Sequence, residues 1–200
     1  IIMDVCEFYK SICHLTDNKL IQELAAATKF IQLKKGDFVV KVGEIQNEIY
    51  FLVSGIARGY FLDLNGKEVT DCFGFKCGDP AVPSGQLKID SPSPMTIEVL
   101  EESSFFSIPI QKIVEIQNKY PEFVMFYNRL LIKALNEHWG LKRILNQYTA
   151  VKRYQWFLKM YPGLISKIKN KYIASFLGMS PVTLSRLRKQ FKENRQEKAL

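Results

Sequence analysis

The period of the apolar residues changes from two to helical at Pro109, and that change restricts the fold more than any other feature. From Phe30 to Ile108 the apolar positions mostly alternate, in short bursts cut by glycine: "FIQLKKGDFVVKVGE", "EIYFLVSGIARGYFLDLNGKEVT" and "MTIEVLEESSFFSIP". A period of two is that of a strand with one buried face. Gly36, Gly43, Gly55 and Gly66 each fall at a strand end, and Asn65-Gly66 predicts a type I′ hairpin with positive φ at both central residues. The expectation is an antiparallel β body of about eight short strands, a barrel or roll. Its strands are interrupted by a long Gly-, Pro- and Ser-rich loop over residues 74–94, "GFKCGDPAVPSGQLKIDSPSP".

Before and after the β region the period is helical. Leu20, Leu24 and Ala27 follow Asp17 and Thr16, either of which can cap a short helix. "PIQKIVEIQNKYP" predicts a short helix stopped before Pro121, and a long one follows from about Glu122 to Tyr148. Along it Phe123, Tyr127, Leu130, Ala134, His138, Leu141, Leu145 and Tyr148 form one apolar stripe, and Val124, Leu131, Leu135 and Trp139 a neighbouring one. A helix of about 40 Å with two apolar stripes covers a second surface besides the β body, as a dimer spine does. Gly140 in its middle costs about 1 kcal/mol relative to Ala and predicts close packing or a bend there.

The charge is divided unevenly. Residues 1–120 carry 12 Lys and Arg against 16 Asp and Glu, whereas residues 121–200 carry 16 against 4, so the net +8 is a mildly acidic part followed by a basic one. A basic C-terminal module suits a polyanionic partner. No stretch is apolar for long enough to span a membrane, and no secretory leader is visible, so the expected location is the cytoplasm. Cys6, Cys13, Cys72 and Cys77 are spaced unlike zinc or dithiol motifs, and only His14 and His138 accompany them. Free thiols are expected, with no metal and no cofactor. Ser-His-Asp, G-x-S-x-G and phosphate-cradling glycine patterns are absent from the sequence, so no catalytic residue is assigned.

The basic part contains "KYIASFLGMSPVTLSRLRKQF", residues 171–191. Tyr154, Phe157, Leu158, Ile165 and Ile168 can form a small helical core ahead of it. Ile173, Leu177, Met179, Leu184 and Leu187 are its apolar positions, Ala174 permits a close helix crossing, and Gly178 accepts the positive φ that ends the first helix. Ser180 can cap the second helix, with Pro181 at its first position. This is helix-turn-helix chemistry. Ser180, Pro181, Val182, Thr183, Ser185, Arg186 and Lys189 are the candidate DNA-binding residues, with Arg186 suited to a bidentate guanine contact, Thr183 and Val182 to thymine methyls, and Ser180, Ser185, Arg188 and Lys189 to phosphates.

With these residues in view, nearly the whole chain resembles the Crp/Fnr family of bacterial transcription regulators. "KKGDFVVKVGE" and "YFLVSGIARGYFLDLNGKEV" look like the glycine framework of a cyclic-nucleotide-binding β-roll, the long helix like the family's dimerisation helix, and "IASFLGMSPVTLSRLRKQF" like its helix-turn-helix. The resemblance implies an α+β chain: an N-terminal double-stranded β-roll sensor with its helices (1–110), linking and dimerisation helices (111–148) and a C-terminal helix-turn-helix domain (149–200). It also implies a homodimer on double-stranded DNA, with recognition helices about 34–36 Å apart, a small-molecule effector in the roll, and RNA polymerase as a partner.

The departures from the family are specific. Members that bind cyclic AMP use a Gly-Glu pair for the ribose and an Arg-Ser pair for the phosphate. Here Gly78-Asp79 stands for the first, and Pro94-Met95 falls where the second is expected. Between Gly74 and Thr96 the only cations are Lys76 and Lys88. Gly78, Asp79 and Ser84 are therefore candidate effector-pocket residues for a signal other than cyclic AMP. The close cysteine pair of the family's iron–sulfur branch is missing. In the recognition helix the Arg and Glu of the GTG-reading members map onto Pro181 and Val182, while the later Arg is Arg186, which implies a different target sequence.

Overall fold

The computed structural model describes residues 3–81 and 92–197, the last four by backbone alone. The order of elements follows the period switch. Helix α1 (Val5–Glu7) runs into a π-helical turn (Phe8–Ile12) and α2 (Asn18–Ala27), after which come β1 (Lys29–Leu33), β2 (Phe38–Val40), β3 (Glu48–Ser54), β4 (Ala57–Leu62), β5 (Glu68–Gly74), β6 (Thr96–Val99) and β7 (Ser103–Pro109). Helices α3 (Ile110–Lys119), α4 (Pro121–Gln147), α5 (Ala150–Met160), α6 (Leu164–Lys167), α7 (Asn170–Phe176) and α8 (Pro181–Glu197) complete the chain. Seven strands thus stand among the described residues where about eight were expected. The chain divides into two compact units, Ile1–Phe61 with Cys72–Leu135, and Leu62–Asp71 with Asn136–Leu200.

The strands form two sheets, ordered β1-β7-β3 and β2-β6-β4-β5. Alternation sorts their side chains. Leu52, Phe105, Ala57, Ile97, Val99, Val40 and Ala81 form one buried cluster between the sheets, joined by Tyr50 and Met95. On the other face of the three-stranded sheet, Ile49, Phe51, Phe106 and Ile108 meet the helices. There Phe8, with no exposed surface, packs edge-on against Phe106 at 5.1 Å and tilted against Phe51 at 6.0 Å. Burying one such ring contributes about 2–3 kcal/mol, so this aromatic contact is a main reason the N-terminal helices lie on the sheet. Ile113 and Ile116 of α3 and Phe123 and Phe126 of α4 extend the same core.

The β4–β5 hairpin departs from the expected type I′ turn. Gly66 alone in the loop has positive φ, 75°, and its N–H donates to the Asp63 carbonyl at 3.0 Å. The cause is Asp63, whose carboxylate accepts from the N–H groups of Asn65 at 2.8 Å and Lys67 at 2.9 Å. That side-chain cap holds Leu64 and Asn65 in a right-handed turn and leaves only glycine to go left-handed.

Asp17, rather than Thr16, caps α2, accepting from Lys19 and Leu20 N–H at 2.8 and 3.1 Å. Thr16 is bound instead by Glu122 in the first turn of α4, whose carboxylate accepts the Thr16 N–H and hydroxyl at 2.7 and 2.8 Å and the Asp17 N–H at 2.9 Å. Along α4 the first apolar stripe starts buried at Phe123 and continues half-buried through Tyr127, Leu130 and Ala134, but His138 is exposed. The second stripe is open, Val124 and Leu131 by more than a third and Leu135 and Trp139 by more than half, and Met125 and Ile132 beside it, also more than half exposed, widen it. Of the close packing or bend expected at Gly140, close packing is not found among the described residues, since a methyl group there would meet nothing within 4 Å, and the helix continues through it.

Candidate DNA-binding surface and effector region

In the second unit, Tyr154, Phe157, Leu164, Ile168, Ile173, Ala174, Phe176, Leu177, Leu184 and Leu187 are buried together in the helical part of the sequence. Leu164 takes the buried place expected for Ile165, which is half-buried, as is Leu158. Phe176 stacks its ring among Trp156, Phe157 and Tyr161.

Each end of the α7–α8 turn is closed by local chemistry. Helix α7 stops because Gly178 adopts φ 59°, which lets the Met179 N–H return to the Ala174 carbonyl at 2.9 Å and the Gly178 N–H to Ser175 at 3.1 Å, a glycine-terminated C-cap. Helix α8 starts because the Ser180 hydroxyl accepts the Thr183 N–H at 3.1 Å and Pro181 fills the first helical position. Leu184 and Leu187 pin α8 inward, Met179 is half-buried, and Pro181, Val182, Ser185, Arg186, Lys189 and Gln190 are left exposed along the opposite face.

The polar side chains on α8 fall into different states. Ser180 and Thr183 share a hydroxyl–hydroxyl bond of 2.9 Å, so the half-buried Thr183 has its oxygen engaged in the cap and only its methyl group to offer a base. Lys189 lies 3.9 Å from Glu193 in an exposed i, i+4 pair, an interaction weak enough to exchange for a phosphate. Arg188, expected to reach phosphate, is half-buried and hydrogen-bonded to the Asn170 side chain, so it joins α8 to α7 instead. Arg186 is exposed and makes no hydrogen bond or ion pair among the described residues. The amide dipoles at the start of this 17-residue helix add partial positive charge at its exposed end.

The effector region is built differently from its sequence expectation. Gly78 and Asp79 lie in the turn after β5, with the Gly78 N–H bonded to the Leu52 carbonyl at 2.8 Å and the Leu52 N–H to the Asp79 carbonyl at 2.9 Å. Both Asp79 carboxylate oxygens are occupied. One accepts from Phe75 and Lys76 N–H at 3.1 and 3.0 Å, and the other pairs with the Lys133 ammonium of α4 at 3.1 Å. Ser84, the third candidate, lies outside the described residues. Gly78 is pressed on the N-terminal helical segment: a side chain there would come within 2.5 Å of Ile12.

The roll also holds a buried arginine that its sequence pattern did not single out. Arg58 bonds Glu98 at 2.6 Å and lies against the Tyr60 ring, on the face of its sheet opposite Ala57, Ile97 and Val99. It is 1% exposed. Alternation within β4 turns it away from the space between the sheets, where Leu52, Phe105, Ile97 and Val99 gather with Tyr50 and the buried Ser107. Burial raises the Tyr50 hydroxyl, with Glu48 adding to the effect. Burial also pushes the Cys13 thiol up to about 12, and Cys77 is raised by burial and by Asp79. Such thiols stay protonated and poorly nucleophilic. No group of three or more potential metal ligands occurs among the described residues, and no described helix is long and apolar enough to cross a membrane.

The sequence description of the cyclic nucleotide-binding domain matches residues 30–120. The transcriptional activator protein Anr of Pseudomonas protegens is 24% identical over 175 residues, 81% of this chain and 70% of that protein. Among solved structures, FixK2 from Bradyrhizobium japonicum superposes with a TM-score of 0.74 at 18% identity over 84% of this chain and 85% of its own. A regulator of the Crp/Fnr family from Eubacterium rectale gives 0.73 at 19% identity over 93% and 88%. The roll, the long helix and the helix-turn-helix thus occur in the order these proteins share, and the chain is similar in fold to regulators of the Crp/Fnr family.

Proposed function

We propose that this protein is a DNA-binding transcription regulator that acts as a homodimer and reads its own target sequence. The observation that carries the reading is the face of α8: Val182, Ser185, Arg186 and Lys189 stand exposed on a helix whose start is capped by Ser180 and whose back is buried through Leu184 and Leu187. That arrangement offers a guanidinium and small side chains to base edges, with Lys189 left for phosphate. Sensing is assigned to residues 1–110, dimerisation to 111–148 and DNA binding to 149–200. The open stripe of Met125, Ile132, Leu135 and Trp139 supports pairing of two long helices. Work on the genome would be done in the cytoplasm, with RNA polymerase as the partner that the family resemblance suggests, and calls for no catalysis. Fluorescence anisotropy with genomic DNA fragments tests the reading; equal, weak affinity for every fragment would sink it.

The signal sensed by the roll is proposed to be something other than a cyclic nucleotide. Asp79, at the position that should bind the ribose, already accepts from two amides and Lys133, and Pro94-Met95 offers no phosphate clamp. Three donors leave about one of a carboxylate's four or so lone-pair sites for a ligand hydroxyl. A cyclic-nucleotide-responsive regulator remains the second reading, favoured by the domain match over residues 30–120. Saturable heat of binding on titration with cyclic AMP or cyclic GMP would establish it over the first.

A further inference from the structure

Arg153, in the first turn of α5, contacts two places that lie far apart in the sequence. Its Nε donates to the Tyr148 carbonyl at 2.9 Å, at the elbow between α4 and α5, and its Nη1 donates to the carbonyls of Leu177 at 2.8 Å and Gly178 at 3.0 Å, in the turn that precedes α8. The elbow is short. Helix α4 ends at Gln147 and α5 begins at Ala150, so only Tyr148 and Thr149 intervene, and Thr149 caps α5 by accepting the Lys152 N–H. Leu145, in the last turn of α4, approaches from the other side: a side-chain carbon on Gly178 would lie 3.2 Å from Leu145 and 3.2 Å from Arg153 Nη1.

The chemistry explains why an arginine serves here. Carbonyls at the end of a helix have no intrahelical donor and carry partial negative charge, which favours a cation. A planar guanidinium fork can serve separate acceptors from fixed directions, which a lysine ammonium cannot. Because Tyr148 closes one end of this bond set and Leu177 with Gly178 the other, rotation at the elbow requires breaking charge-assisted bonds. Arg153 itself points at no exposed face of α8.

We infer that Arg153 is a positioning residue: it straps the reading helix to the end of the long helix, so that the angle of α8 follows α4. The inference rests on the dimeric regulator reading and deepens it. In a dimer paired through α4, two such straps set the separation and tilt of the two α8 helices. They act on how well both half-sites are engaged together, leaving the contact each α8 makes with its own half-site unchanged.

The test uses the full chain. A two-half-site duplex is first selected from random DNA with the unmodified protein, and affinities for it, for a duplex carrying a single half-site, and for versions with one base pair added or removed between half-sites are measured by anisotropy. Linked binding to two half-sites should exceed single binding by about 100-fold or more. For Arg153→Gln and Arg153→Lys the single-half-site affinity should be unchanged, while the two-half-site advantage falls by at least about tenfold and the spacing preference flattens. Arg153→Lys keeps the stem and charge and carries the comparison if the glutamine variant does not fold. The inference is overturned if both variants keep the advantage and spacing preference, or if single-half-site affinity falls in equal proportion, which would mean that the bonds merely hold the helix-turn-helix together. An unmodified protein that selects no sequence would overturn the regulator reading as well, and so the two failures are told apart.

Discussion

Among the arginines of the C-terminal half, exposure and partnering separate three roles that side-chain type alone leaves equal. Arg186 is exposed and unpaired among the described residues, Arg188 is tied to Asn170, and Arg153 to the carbonyls of Tyr148, Leu177 and Gly178. Arg186→Ala should therefore relax base preference at one position, at a cost of about 1–3 kcal/mol for the preferred base, whereas Lys189→Ala should weaken all sequences alike and reduce the salt slope by about 1. Salt titrations of both variants on preferred and scrambled duplexes distinguish these outcomes. Gly178 is the other critical residue. Gly178→Ala places a side chain at φ 59° and against both Leu145 and Arg153, so it should lower stability by about 1–2 kcal/mol from the left-handed backbone alone, read as a drop in the melting temperature of the full chain.

At the scale of elements, α2 and α4 are joined at their starts by a single carboxylate. Burial pushes the Glu122 carboxyl up, but the Asp17 and Thr16 N–H groups and the Thr16 hydroxyl outweigh it, leaving the group below its usual range. A carboxyl that is lowered on folding contributes stability that is present above its unfolded value, near about 4.3, and lost as pH falls through its folded value. Thermal melts from neutral pH down to the acid limb should show Glu122→Gln less stable than the parent at neutral pH, with the difference shrinking on acidification. A constant difference across the series would contradict the assignment. Helix α4 itself carries the other element-scale consequence, an apolar stripe left exposed among the described residues. Leu135→Asp should lower the dimer population in sedimentation velocity at low micromolar concentration while leaving the helical circular dichroism signal in place, because the substituted position is already exposed.

For the molecule as a whole, the alternation of Phe30–Ile108 and the helical period after Pro109 set out a β body and a long helix, and the Ala174, Gly178, Ser180 and Pro181 spacing in the basic part added the helix-turn-helix. The caps were legible too: Asp17, Gly178, Ser180 and Pro181 act within a few residues of themselves, and hydrogen bonds of that range are written in spacing. The β4–β5 turn shows the limit of even local patterns, since Asn65-Gly66 was read without the Asp63 side chain that selects the turn. What spacing could not convey is which polar groups are already satisfied. Asp79 finds Lys133 across 54 residues, Arg188 finds Asn170 across 18, and Arg153 finds Leu177 across 24. Period and spacing alone set out the elements and most of their caps, because both act between near neighbours. The fold was needed to show that Asp79 is engaged, that Arg186 is unpaired among the described residues and that Arg153 bonds both Tyr148 and the α7–α8 turn, because satisfaction of a charge depends on what the chain brings within about 3 Å of it.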